Sequence, residues 1–172
     1  MGKRPNNSRR EPIFPESQVA VVTLTRGYIT IIDAEDWQRV SRYKWSVCGS
    51  RGCIYARSSV NHIWLHRLIN NTPKGKETDH INRITLDNRK CNLRVCTKSQ
   101  NKRNTPPNVG SSRYKGVRRI TSSGRWRARA VSPEGKRKHL GVFDTEMEAA
   151  KAYDDYIRKI APEFGYLNFP ED

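Results

Sequence analysis

Residues 78–103, TDHINRITLDNRKCNLRVCTKSQNKR, gather the residue types that carry out metal-assisted hydrolysis. Asp79 and His80 are adjacent, and two well-separated asparagines follow as Asn92 and Asn101. Carboxylate and amide oxygens are hard ligands that suit Mg²⁺ or Mn²⁺, and a neutral histidine held beside them can act as a general base. The pattern therefore predicts a metal-plus-base site made of Asp79, His80 and Asn101.

The local pattern of the same stretch predicts strand, loop, strand and helix. GKETDHI is typical of a strand that ends at Asp79 and His80, the loop 82–90 is too polar for a core, and residues 93–96 are typical of a return strand. Thr97 and Gln100 form a capping box, which begins a short helix and places Asn101 in its first turn. This order can bring Asp79, His80 and Asn101 to one end of the unit.

The chain as a whole is strongly basic. Its 172 residues include 33 Lys and Arg against 17 Asp and Glu, which gives a net charge of +16 at pH 7 and a pI near 10.1. Nucleic acid is the expected partner, and a phosphodiester is the natural substrate for a metal-plus-base site on such a chain. No run approaches the roughly 20 apolar residues that span a bilayer. We therefore expect a protein with no membrane partner and no small-molecule cofactor.

The four cysteines form two pairs, Cys48 with Cys53 and Cys91 with Cys96, and four residues separate the members of each pair. Zinc knuckles usually have two residues between their ligands. Cys91 and Cys96 also lie an odd number of residues apart around a predicted strand, which directs their side chains to opposite faces. We expect separately packed thiols and no structural zinc.

Composition divides the chain into an arm and two modules. Residues 1–17 are polar, basic and rich in proline, which predicts a disordered arm, and residues 105–112 are typical of a linker. The first module, residues 18–104, begins with two β-branched runs around Arg26 and Gly27 that predict a hairpin. A short helix, AEDWQRVSRYKW, and a second hairpin turning at residues 49–52 follow, whereas the apolar segment HIWLHRLIN fits either a strand or a helix.

The second module, residues 113–170, begins with strand patterns and ends with a helix pattern. In GRWRARAV, alanines and a tryptophan alternate with Arg125, Arg127 and Arg129, so one face is apolar and the other is arginine. KRKHLGVF places Arg137 and His139 on one face, and YKGVRR supplies a third strand. DTEMEAAKAYDDYIRKIA has a helical period and a capping box. We predict an α+β chain in which a three-stranded antiparallel sheet packs on one α-helix, with the arginine face left for an anion or for solvent.

Residues 78–103 resemble the HNH family of ββα-metal nucleases, in particular phage and intron homing endonucleases. Asn92 follows Asp79 by thirteen residues, Asn101 follows Asn92 by nine, and the intervening DNR-x-x-NLR-x-x-T text matches as well. The resemblance implies site-specific DNA cleavage with one divalent cation, Mg²⁺ or Mn²⁺. It implies Asp79 and Asn101 as metal ligands, His80 as general base, and Asn92 as the central asparagine that ties the hairpin loop.

Residues 111–170 resemble the plant APETALA and ethylene-response-factor DNA-binding domain, through SRYKGVRRITSSGRWRARAV, KRKHLGVFDTEMEAAKAYD and YLNFP. The resemblance implies that the sheet lies in the major groove of double-stranded DNA. The chain departs from the plant pattern, because it lacks an aromatic near residue 122 and has a histidine at position 139 where tryptophan is usual. By position, and with Arg125 added by the alternation, the expected DNA-face residues are Lys115, Arg118, Arg125, Arg127, Arg129, Arg137 and His139.

Two other functions fit parts of the pattern. A DNA-binding transcriptional regulator with an inactive nuclease module would keep the arginine strands and lose the hydrolytic chemistry. An RNA-binding protein would present stacking aromatics to single-stranded loops, whereas the predicted exposed faces of this chain carry arginine. The sequence leaves open the target site, single-strand nicking against double-strand cutting, and the oligomeric state.

Overall fold

The computed structural model describes residues 18–50, 53–107 and 110–171. The arm predicted for residues 1–17 lies outside the described residues, as do the tip of the second hairpin and part of the predicted linker. Two-stranded antiparallel sheets and short helices make up the first module, and a three-stranded antiparallel sheet packed on one helix makes up the second. The predicted fold class is confirmed. Throughout the described ranges, no helix has both the length and the apolar character required to cross a bilayer.

The first hairpin forms as predicted from its two β-branched runs. Strand β1 (Val19–Thr23) pairs antiparallel with β2 (Ile29–Asp33). Along β1 the burial alternates, so that Val22 is buried and Val21 is exposed, because successive side chains of a strand point to opposite faces. Arg26 and Gly27 both adopt positive φ between the strands, a conformation that glycine reaches without steric cost.

The remaining elements of the first module share one hydrophobic core with this hairpin. Helix α1 (Trp37–Val40) precedes β3 (Trp45–Ser50), which pairs antiparallel with β4 (Cys53–Ser58). The apolar segment whose type the sequence left open is helix α2 (Leu65–Ile69). The buried core of the module consists of Ala20, Val22, Leu24, Ile32, Val40, Trp45, Ala56, Leu65, Ile69 and Leu93.

The stretch that carries the chemistry has the predicted order of strand, loop, strand and helix. Strand β5 (Glu77–His80) pairs antiparallel with β6 (Leu93–Cys96), and helix α3 (Lys98–Arg103) follows. The capping box is present: the Thr97 hydroxyl accepts from the Gln100 N–H at 3.2 Å, and the Gln100 side-chain oxygen accepts from the Thr97 N–H at 2.8 Å. The short helix is therefore fixed at its start by its own sequence.

The loop between β5 and β6 is held against the first hairpin by backbone hydrogen bonds. The Ile31 N–H donates to the Leu86 carbonyl at 3.0 Å, and the Asn88 N–H donates to the Ile31 carbonyl at 2.8 Å. Residues 86–88 thus run beside β2 as a short parallel bridge. The half-buried first hairpin therefore acts as the scaffold of the polar loop.

The second module has the sheet order β7-β8-β9, formed by Val117–Arg119, Trp126–Val131 and Arg137–Phe143. Helix α4 (Glu146–Ile160) begins at a capping box of Thr145 and Glu148 and covers one face of the sheet. Ala128 and Ala130 are buried on that face, and Tyr153 and Ile157 of the helix are buried opposite them. The small alanines let the helix approach the sheet, which leaves the arginines on the other face.

A single buried carboxylate ties the closing residues of the chain to α4. Asp154 has no exposed surface, and its carboxylate accepts from the Asn168 N–H at 3.0 Å, the Asn168 Nδ2 at 3.0 Å and the Phe169 N–H at 2.8 Å. Burying a charge is costly unless its hydrogen-bonding capacity is used. These three donors therefore fix the path of the chain after α4.

We predict that Asp154→Ala lowers the free energy of unfolding of the second module by about 3 kcal/mol, because three partly buried donors lose a charged acceptor. Urea denaturation followed by circular dichroism measures this loss. Asp155→Ala is the matched control, because the Asp155 carboxylate is largely exposed and its contact with Arg158 is long, at 3.8 Å. This substitution is expected to lower the free energy of unfolding by less than about 0.5 kcal/mol. Equal losses of unfolding free energy in the two variants would contradict this role of Asp154.

Candidate active site

Asp79 and His80 end strand β5 with their side chains on opposite faces, and both are about 5% exposed or less. Arg94, directly opposite Asp79 on β6, donates to the Asp79 Oδ2 from Nε at 2.8 Å and from Nη2 at 2.6 Å. The cross-strand register thus supplies the counter-charge that a buried carboxylate requires.

His80 is oriented by a chain of side-chain hydrogen bonds that begins in β2. The Thr30 hydroxyl donates to the Leu86 carbonyl at 2.6 Å, so it must accept from the Asn88 Nδ2 at 2.7 Å. This fixes the Asn88 amide with its Oδ1 facing the His80 Nε2 at 3.2 Å. Because an amide oxygen only accepts, the neutral ring donates from Nε2 and its Nδ1 carries the free lone pair.

The surroundings of His80 favour its neutral form. Burial lowers the pKa of His80 below its usual 6.5, against the hydrogen bond to Asn88 and the charges of Asp79 and Asp87, which raise it. An imidazole that is neutral at neutral pH can accept a proton, and the same carboxylates stabilise the charge that then appears. The arrangement can therefore serve as a general base.

Asn92 links two points of the loop between β5 and β6. Its Nδ2 donates to the Asp87 carbonyl at 2.8 Å, and its Oδ1 accepts from the Asn82 N–H at 2.8 Å. Asp87 in turn accepts from Arg89 and from the Asn82 side chain. The hydrogen bonds from Arg89 lower the pKa of Asp87 most strongly, against a smaller effect of burial. The loop thus keeps one shape around His80.

Asn101 in α3 and Asn104 directly after it both contact β5, and they contact different carboxylates. Asn101 donates from Nδ2 to the Glu77 Oε2 at 2.7 Å, which leaves its Oδ1 as an acceptor. Asn104, three residues further on, is buried and contacts Asp79: its Nδ2 lies 3.0 and 3.1 Å from the two carboxylate oxygens. Asn101 was predicted from the sequence as a site residue, whereas Asn104 was not. The spacing of three residues, which places both on one helix face, is the signal that could have found it.

Four oxygens converge on the Asn104 Nδ2 atom, which lies between them as a hydrogen-bond donor. Besides the two Asp79 oxygens, the carbonyls of His80 and Ile81 lie 2.9 and 3.3 Å from the same Nδ2 atom. Oxygen-rich sites of this kind suit Mg²⁺ or Mn²⁺. Across the described ranges, no group of three or more His, Cys, Asp and Glu forms a metal cluster. A cation here would thus depend on Asp79 together with amide and carbonyl oxygens.

The four cysteines differ in exposure. In the described structure all four are free thiols: Cys53 and Cys91 are exposed, Cys48 is partly buried, and Cys96 is buried. Burial raises the pKa of the Cys96 thiol to about 11. A thiol with that pKa stays protonated at neutral pH and packs as a small apolar side chain.

Aromatic rings pack next to His80 on the side of the site that faces α2. The ring centroid of His66 lies 5.3 Å from that of His80, and Tyr55 and Trp64 lie within about 6 Å of His66. Burial lowers the pKa of His66 to about 3, with further contributions from the charges of His80 and Arg67. His66 is therefore uncharged at neutral pH and adds no positive charge beside the base.

The sheet of the second module presents a basic face, formed by Arg118, Arg127, Arg129, Arg137 and His139. Arg118 is opposite Arg127, and Arg129 is opposite His139. Within the described residues, the side chains of these four arginines form no ion pair, whereas Arg125 pairs with Asp144 at 2.7 Å. Lys115, predicted for the DNA face, directs its amine to backbone carbonyls of α3 and the residues after it. The arginines are thus available to an anion, and the Lys115 amine is already bound.

Comparison with known proteins agrees with both halves of this description. The family model of the HNH endonuclease matches residues 62–103, and that of the AP2 domain matches residues 112–161. An uncharacterized HNH endonuclease of Acanthamoeba polyphaga mimivirus is 30% identical over 170 residues, which cover 94% of this chain and 87% of that protein. The chain belongs to the HNH endonuclease family. Both kinds of domain bind DNA, so DNA is its partner.

This HNH endonuclease carries an AP2 domain after its nuclease domain, and two plant relatives match a smaller share of the chain than the viral one does. Dehydration-responsive element-binding protein 2D of Arabidopsis thaliana is 47% identical over 66 residues, which are 38% of this chain and 32% of that protein. APETALA2-like protein 2 of Oryza sativa subsp. indica is 52% identical over 46 residues, 26% of this chain and 10% of that protein. The similarity to these plant proteins therefore covers about a quarter to two fifths of the chain.

We predict that the neutral His66 makes the endonuclease less stable in acid. A histidine whose folded pKa is lowered to about 3 contributes stability above its usual pKa of 6.5, and this is lost as the pH falls from 6.5 toward 3. Between pH 7 and pH 5, wild type should lose about 2 kcal/mol more unfolding free energy than His66→Phe. Urea denaturation at the two pH values measures the difference, and identical losses would contradict a buried neutral ring.

Proposed function

We propose that this chain is a site-specific DNA endonuclease of the homing type, which hydrolyses phosphodiester bonds with one divalent cation, Mg²⁺ or Mn²⁺. The observation that carries the proposal is the orientation of His80, whose Nε2 is held by Asn88 while its Nδ1 keeps a free lone pair. A general base needs a neutral ring of this kind, in which one nitrogen is fixed as a donor and the other can accept a proton. The net charge of +16 supplies the attraction to a polyanion.

In this mechanism His80 takes a proton from water through Nδ1 while the water oxygen attacks the phosphorus atom. The bond to the 3′ oxygen breaks, the leaving oxygen takes a proton from solvent, and the products are a 5′-phosphate and a 3′-hydroxyl. General-base catalysis of this kind contributes roughly 10²- to 10⁴-fold. The nearby carboxylates of Asp79 and Asp87 stabilise the imidazolium that forms.

Asp79 and Asn101 would hold the cation, the first through its carboxylate and the second through Oδ1, since the Asn101 Nδ2 atom donates to Glu77. When bound, a divalent cation stabilises the added negative charge on the phosphoryl group and on the leaving oxygen. Arg94 and Asn104 keep the Asp79 carboxylate in place, and Asn92 keeps the loop in the shape that brings Asn88 to His80. The oxygen donors and the base therefore sit at the two sides of one strand end.

The AP2 domain would choose the site. Arg118, Arg127, Arg129, Arg137 and His139 form a face in which arginines can bond guanine bidentately or contact phosphates, and Arg125 lies at its edge. From the resemblance to phage and intron HNH endonucleases, we place the protein in the cytoplasm of a phage-infected or bacterial cell. Lys115 has a different task, because leaving its carbonyl partners for DNA would uncover the end of α3.

We predict that His80→Ala lowers the rate of DNA cleavage at least about 100-fold, because the proton acceptor is lost. Incubation of supercoiled DNA with Mg²⁺, Mn²⁺ or EDTA measures product, and an electrophoretic shift measures affinity, which should change less than about 2-fold. His62→Ala, an exposed histidine in the turn after β4, is the matched control and should retain activity. Tight binding by wild type without product would favour the DNA-binding regulator instead.

A second prediction concerns the hydrogen-bond chain that orients the base. Thr30→Val keeps the buried shape but removes the hydroxyl that fixes Asn88, so cleavage should slow by about 10- to 100-fold with DNA affinity unchanged. Thr30→Ser restores the hydroxyl and should return most of the rate. If valine and serine variants lost activity equally, Thr30 would act only by packing.

A further inference from the structure

The two domains are in direct contact at the C-terminal end of α3. The Lys115 Nζ donates to the carbonyls of Arg103 at 2.7 Å, Thr105 at 2.5 Å and Lys102 at 3.3 Å. The last carbonyls of a helix have no partner within the helix and carry partial negative charge. A cation supplied by the AP2 domain therefore completes the end of a nuclease helix.

Arg103, at the end of α3, forms hydrogen bonds with two separate parts of the AP2 domain. Its Nη2 donates to the Ser132 carbonyl at 2.9 Å, and its own carbonyl accepts from the Tyr166 N–H at 3.0 Å. These contacts come from the sheet and from the residues after α4, which are distant in sequence. The second domain thus holds the C-terminal end of α3, the helix that carries Asn101 and precedes Asn104.

Two aromatic residues after α4 extend the contact to the active site. The Phe164 ring lies 4.0 Å from the guanidinium carbon of Arg94, and the Tyr166 ring lies 4.9 Å from that of Arg83. Arg94 also donates to the Glu163 carbonyl while it binds Asp79. One arginine therefore contacts both the DNA-binding domain and the carboxylate of the active site.

We propose that this contact holds the two domains as one docked unit, and that it sets the distance along DNA between the bound site and the bond that is cut. This inference rests on the proposed function for its second half only. Lys115 supports the docking through the three carbonyls that accept from its amine. Burial lowers the pKa of this amine to about 8, with the charge of Arg83 adding to the effect, so the amine is still mostly protonated at pH 7.

The alternative is that the connecting segment sets the distance, with the domains moving independently on its two sides. The two alternatives differ in what a longer connection does. If the domains are docked through Lys115, Arg103, Phe164 and Tyr166, inserted residues loop out and leave the distance unchanged. If the connection is a tether, inserted residues shift or broaden the cut positions.

The test uses the full chain with a short Gly-Ser insertion after Pro107, the Phe164→Ala and Tyr166→Ala double variant, and a combination of both. Small-angle X-ray scattering measures the radius of gyration of each free protein, and end-mapping on bound DNA measures the cut positions. Lys115→Met provides a second interface variant should the aromatic one fold poorly. Met147→Ala, on the exposed side of α4, is the control for loss of a surface side chain.

We expect the insertion alone to leave the radius of gyration and the cut position unchanged. The combined variant should expand and cut at scattered positions. Expansion of the insertion variant alone, or shifted cuts with it, would overturn the docking. Should no protein cut DNA while the scattering follows the expected pattern, the docking stands and the proposed nuclease function fails. These two failures are therefore distinguishable.

Discussion

The hydrogen-bond chain from Thr30 through Asn88 to His80 is the interaction on which the active site depends. A hydroxyl has one proton, and the Thr30 proton is committed to the Leu86 carbonyl. The orientation of Asn88 and the tautomer of His80 follow from that commitment. Because Thr30 is itself buried on β2, the orientation of the base depends on how the loop between β5 and β6 packs against the core of the first module.

The second constraint is the burial of Asp79 in a chain with a large excess of positive charge. Its carboxylate requires compensation, and Arg94 and Asn104 provide it from the facing strand and the following helix. An isolated buried carboxylate would be protonated or would destabilise the fold. The same arginine contacts Phe164, so the charge balance of the active site extends to the AP2 domain. The domain contact and the catalytic geometry are thus parts of one network.

Local features of the sequence predicted most of the fold. The capping boxes at Thr97 and Thr145, the β-branched hairpin and the arginine alternation are satisfied by neighbouring residues, so no knowledge of the tertiary structure is needed. The apolar segment that became α2 could not be typed, because a short apolar run suits a buried strand or helix equally.

The sequence could not reveal the pairings made across the fold. Asn101 meets Glu77 and Asn104 meets Asp79, and which asparagine meets which carboxylate depends on how α3 is rotated on β5. Lys115 was expected on the DNA face from its position in the domain, and its amine lies at the domain contact because a helix end of the other domain is close by. Thr30 lies far in sequence from His80, and no local pattern connects them.

The most direct test of this account is the tautomer of His80 in the free protein. The chain has four histidines, so ¹⁵N-labelled protein with His80→Ala for assignment allows the two ring nitrogens of His80 to be measured by NMR at neutral pH. We predict a neutral ring with the proton on Nε2 and a free Nδ1. A ring protonated at Nδ1, or charged at neutral pH, would contradict the role of the Thr30 and Asn88 chain.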